Sequence, residues 1–99
     1  MNEQSPDKYY MIETEFNLDG KSRTELHQET SRPWAIASAN LKLELAKDYF
    51  KKQNLPYDSY ITKRDKDTDA QIITVFSNKS DNYIVIRVYT QPIEELMNN

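Results

Sequence analysis

Few side chains in this 99-residue chain have the type and spacing that chemistry demands. His27 is the single histidine, and a catalytic histidine needs a nucleophile to activate or a carboxylate to orient it. The sequence places neither beside it, so it reads as an exposed residue of an edge strand. Glu13 and Glu15 lie two apart on one strand and share a face. Carboxylates buried together can divide acid and base work, but their neighbours are polar. The expected hairpin sets them opposite Arg23 and Glu25 as an exposed acidic face. Asp65, Asp67 and Asp69 alternate as in the opening of a calcium loop. The glycine required at the sixth position is Ala70, and the bidentate glutamate of the twelfth is Phe76. That stretch reads as a solvated hairpin loop.

Composition removes further chemistry. With Gly20 as its one glycine the chain cannot build a P-loop or a dinucleotide-binding turn. With no cysteine it has neither a disulfide framework nor thiolate metal ligands. No catalytic residue, cofactor or metal is therefore expected. Asn78-Lys79-Ser80 matches a glycosylation sequon, which has meaning only for an exported chain. The polar, acidic start shows no signal peptide and no apolar run could span a bilayer, so the expectation is a cytoplasmic protein with no membrane partner.

Charge is unevenly spread. Seven acids against three bases make residues 1–30 acidic, and seven bases against three acids make residues 31–64 basic. Six acids against three bases make the remainder acidic again, for a net charge of -3. Lys47, Lys51, Lys63 and Arg64, with Tyr49, Tyr57 and Tyr60 between them, are candidate nucleic-acid contacts, because bases stack on aromatics beside a basic groove. Against that reading, Lys47 and Lys51 lie on the polar side of the helix with Glu44 and Asp48 while Lys42 and Lys52 border its apolar arc, so the helical bases do not share one face, and a sequence pI of about 5.1 is the reverse of the usual footprint.

The elements that must position these residues are legible from periodicity. Lys8 to Asn17 alternates, Tyr10, Ile12 and Phe16 one way and Tyr9, Met11, Glu13 and Glu15 the other, as in a strand with one buried face. Asp19-Gly20 supplies a tight turn, and Lys21 to Glu29, with Leu26 its one large apolar residue, reads as a polar edge strand, with an ordered loop as the alternative. Ser31 or Arg32 caps a helix with Pro33 in its first turn, running to Gln53 and stopped by Asn54 and Pro56. Tyr57 to Lys63, Gln71 to Ser77 and Asn82 to Thr90 are three further strands, and their short polar links imply antiparallel pairing. Ile73, Val75, Ile84, Ile86 and Val88 form the face that meets the helix. Residues 1–7 and 91–99 read as flexible tails, the latter with a short helical turn around Ile93, Leu96 and Met97. The fold expected is a single α+β domain, one long helix on a four- or five-stranded antiparallel sheet in the order β-(β)-α-β-β-β.

The helix carries more apolar surface than one sheet needs. Ile36, Ala39, Leu43, Ala46 and Phe50 form one stripe at about 100° per residue, and Trp34, Leu41, Leu45 and Tyr49 a second, roughly opposite. The sheet face away from the helix is also aromatic, with Phe76, Tyr83 and Tyr89 beside Ile72 and Val85. Apolar and aromatic patches with a polar rim mark binding surfaces. Trp34, Leu41, Leu45, Tyr49, Phe76, Tyr83 and Tyr89 are thus the expected protein-binding residues of a non-catalytic module. Its partner is another protein or a second copy of the chain in a homodimer. Small size and a Lys-, Asn-, Ile- and Tyr-rich composition suggest an inhibitor or adaptor of a phage or mobile element. Nucleic-acid binding is the second reading, and an enzyme with a Tyr/Asp/Glu pocket the third. What decides the second stripe is whether residues 21–30 fold back over it.

Overall fold

A computed structural model describes residues 8–65 and 70–92, with side chains from 9–62 and 70–90. The N-terminal hairpin is β1 (Lys8–Leu18) and β2 (Lys21–Glu29), followed by α1 (Arg32–Lys52) and then β3 (Asp58–Asp65), β4 (Ala70–Phe76) and β5 (Tyr83–Pro92). One antiparallel sheet contains all five strands in the order β2-β1-β5-β4-β3. The α+β architecture with one helix on a five-stranded sheet is the expected one. Lys8 pairs with Pro92, so Gln91 and Pro92 belong to the sheet rather than to the tail their composition suggests. The expected helical turn around Ile93, Leu96 and Met97 lies outside the described residues, as do Asp67 and Asp69.

Local chemistry sets the joints. Asp19 (φ 54°) and Gly20 (φ 79°) are both left-handed, as a two-residue hairpin turn requires if it is to follow the strands' twist. Ser31 caps α1, its hydroxyl accepting from the Trp34 amide at 3.4 Å, and Pro33 sits where a helix has an amide to spare. At the far end Asn54 turns left-handed (φ 57°), and the Leu55 amide returns to the Phe50 carbonyl at 3.0 Å.

The core lies between α1 and the sheet. Tyr10, Ile12 and Phe16 of β1 face the helix, with Ile84, Ile86 and Val88 of β5 and Ile73 and Val75 of β4. From the helix come Ala35, Ala39, Ala46 and Phe50, so three of the four deeply buried helical side chains are alanines. Small residues let the helix axis come close, which makes the buried strip narrow. Ile36 consequently does not join it: it is 48% exposed, turned to the flank above β3, and Ala35 takes the place expected for it. Phe50 is fully buried, stacked on Tyr57 with ring centroids 6.2 Å apart.

Candidate functional site

Two contacts fix which flank of α1 looks toward the sheet edge formed by β2. Ser38 Oγ donates to Glu29 Oε2 at 3.1 Å, and Lys42 Nζ lies 3.6 Å from Glu25 Oε1. Next to Ser38 and Lys42 around the helix, spaced seven and four residues apart, stand Trp34, Leu41 and Leu45. They are 67%, 61% and 54% exposed. Residues 21–29 form an in-plane strand paired to β1, and so do not fold back over this stripe. Tyr49, expected as its fourth member, does not belong to it. Its ring meets Phe50 edge-on at 5.4 Å, half-buried, and burial followed by the charge of Asp19 pushes its hydroxyl pKa up. One turn beyond Leu45 the helix has closed on the sheet.

Beneath this flank a cleft of about 390 Å³ separates α1 from β1 and β2. Phe16, Ile84 and Ala46 line it, with Arg23 and Lys42 at its sides and the 1%-exposed Thr14 in its floor. The Arg23 guanidinium stacks on Phe16, 4.4 Å from the ring centroid, and reaches Glu25 at 3.2 Å. Thr14 Oγ1 is buried without a hydrogen-bond partner.

On the sheet's other face the two carboxylates singled out by sequence are arranged differently from expectation. Glu13 is opposite Leu26 and Glu15 opposite Thr24, while Arg23 and Glu25 point to the helix side. Residues facing each other across an antiparallel pair share a face, and the turn at 19–20 pairs odd residues of β1 with even ones of β2. Glu13 and Glu15 instead clasp Arg87 of β5, at 3.0 and 2.9 Å. The Tyr89 hydroxyl donates to Glu13 at 3.3 Å. Its pKa is raised by burial and by the Glu13 charge. Phe76 and Tyr83 share this face, half-buried around a shallow depression with Tyr60, Thr74 and Val85. Tyr83 accepts from Asn17 Nδ2 at 2.9 Å.

His27 does have a carboxylate, which sequence alone did not reveal. It hydrogen-bonds Glu29, which also accepts from Ser38. Both groups hydrogen-bond the same carboxylate oxygen, Oε2, so Glu29 bridges the imidazole and the hydroxyl. The hydrogen bond from His27 holds the Glu29 pKa below its ordinary value. A helix-facing spacing of two on β2 was visible in sequence, but Ser38, nine residues on from Glu29, was not predictable as the third member.

Of the basic candidates, Lys47 is half-buried beside Glu44 at 3.7 Å and Lys51 is exposed in the last helical turn. The side chains of Lys63 and Arg64 lie outside the described residues. Among the described residues no group of three His, Cys, Asp or Glu side chains is placed to hold a metal, and no helix is long and apolar enough to cross a membrane. Comparison with protein-family models, with curated proteins and with solved structures finds no match to this chain.

Proposed function

We propose that the chain is a non-catalytic protein-binding module that docks on another protein through the outer stripe of α1. Trp34 and Leu41 form the centre of contact and Leu45 its edge. The observation that supports this is the joint exposure of three large apolar side chains on one helical face, with Trp34 at 67%. Tryptophan leads the residues on which interface energy concentrates. The aromatic face with Phe76, Tyr83 and Tyr89 is a weaker candidate because its rings are half-buried among their neighbours. The complementary surface is an apolar groove or helix face deep enough to take an indole. Such a module suits an inhibitor or adaptor of phage or mobile-element origin acting on a cytoplasmic host protein.

The test is affinity capture from the source cells with the wild-type chain and with Trp34→Ala and Leu41→Ala. Each variant is expected to lose about tenfold or more in capture of one partner. Because both side chains are exposed, each should unfold within about 0.5 kcal/mol of wild type. Undiminished capture by both variants overturns the proposal. Nucleic-acid binding has less support, since Lys47 is paired with Glu44. It requires a mobility shift that weakens steeply with salt.

A further inference from the structure

We infer that β2 is a self-complementary edge, through which two copies of the chain pair antiparallel about a two-fold axis at Leu26, normal to the sheet, to make one continuous sheet of ten strands. The inference does not rest on the α1 docking surface. Among the described residues β2 ends the sheet, its nine residues contain no proline, and no register irregularity interrupts its pairing with β1. In a two-residue hairpin the closing pair, here Leu18 and Lys21, is hydrogen-bonded. Alternation along the ladder then leaves Ser22, Thr24, Leu26 and Gln28 with amides and carbonyls directed outward. Unsatisfied edges of this kind are templates for another strand.

Charge selects the occupant and the register. A two-fold axis normal to the sheet keeps each face on its own side, so only residues of like parity can oppose. Centred on Leu26, the helix-side face sets Arg23 against Glu29 of the other copy and Glu25 against its His27, and symmetry doubles both pairs. The opposite face then sets Thr24 against Gln28 and Leu26 against itself, with no charge. Neighbouring registers are worse. An axis at Glu25 places that carboxylate against its own copy, and one at His27 sets Glu25 against Glu29 and imidazole against imidazole. An axis at Thr24 keeps only the Arg23–Glu25 pairs and sets Lys21 against His27. Like charges directly opposite destabilise a sheet and opposite ones stabilise it. The Leu26 register also covers a leucine that is 63% exposed in the single chain. Within β2 Arg23 already reaches Glu25 and His27 hydrogen-bonds Glu29, while Lys42 at Glu25 and Ser38 at Glu29 come from the helix side, so the Leu26 register sets each existing pair against its reversed counterpart and makes an alternating four-group cluster on either side of the axis.

A chain without cysteine makes the test direct. Leu26→Cys puts one thiol at the axis, where opposed Cα atoms about 5.5 Å apart suit a disulfide. Thr24→Cys and Gln28→Cys each put it four residues off register, about 13 Å from its own copy. With oxidised glutathione as electron acceptor, Leu26→Cys should form a covalent dimer about tenfold faster or more than either control alone. A mixture of Thr24→Cys and Gln28→Cys should cross-link to each other. Trp34→Ala placed in the Leu26→Cys background should cross-link unchanged, so failure here and failure at the helix stripe are separately visible. Equal cross-linking of all three single-thiol variants, or sedimentation of the wild-type chain as a monomer at about 0.1 mM, overturns the inference. A dimer that forms without preference for Leu26→Cys overturns it equally, since it must use another surface.

Discussion

Thr14 stands in the row of β1 side chains that meets α1, between Ile12 and Phe16, with its hydroxyl unpaired. A buried hydroxyl without a partner carries a desolvation cost that nothing offsets. Thr14→Val keeps the branched shape and removes the orphan, and is expected to raise stability by about 1 kcal/mol in chemical denaturation. Nothing in the sequence marks this threonine, because whether a hydroxyl finds a partner depends on what the helix brings above it. Glu29 titrates in the opposite sense from a buried acid. Its folded pKa is lowered, chiefly by the His27 hydrogen bond. Its contribution is therefore present above the unfolded carboxyl value and lost as pH falls through the folded one. Glu29→Gln should thus lower the unfolding midpoint at neutral pH, and the gap from wild type should narrow as pH falls below the ordinary carboxyl range.

Among the elements, the boundaries were legible where a backbone rule applies. Ser31 and Pro33 start the helix, Asn54 ends it left-handed, and Asp19-Gly20 turns the hairpin, each at the residue its chemistry indicates. β2 was legible for the same reason, although its side chains are polar: once the turn is tight, the chain beyond it has only β1 to pair with. What misled was rotation about the helix axis. Of the expected stripe, Ala39, Leu43, Ala46 and Phe50 do pack on the core, but hydrophobicity also drew in Ile36, whereas close approach favours the smaller side chain and turns Ala35 to the sheet. Tyr49 is drawn in by the same rotation. The partner of Glu13 and Glu15 was out of reach for a different reason. Arg87 lies 74 residues from Glu13, and only the sheet order, not any local pattern, puts β5 beside β1.

At the scale of the whole molecule, helix and edge are related. α1 sits over the centre of the sheet and its exposed stripe leans toward β2. Strands about 4.8 Å apart would place each helix axis roughly 10 Å from a two-fold at the β2 edge. Two copies joined there would leave a trough about one helix wide, walled on both sides by Trp34, Leu41 and Leu45. The trough would be floored by the paired charges of β2, so that dimerisation and partner capture would share one concave surface.

The sheet order has a further effect, on time rather than on shape. The first and last strands, β1 and β5, are central neighbours, while β1–β2 and β3–β4–β5 are each local in sequence. The hairpin and the meander can form separately, but joining them closes a loop through α1 against chain entropy. Non-local pairing of this kind puts refolding in the range of ms to s. In pulsed hydrogen exchange, helical amides of α1 should gain protection before those between β1 and β5. Late or absent α1 protection would contradict this. Ile12, Ile84 and Ile86, all at most 1% exposed, thus belong to the part that the chain completes only after its two halves have met.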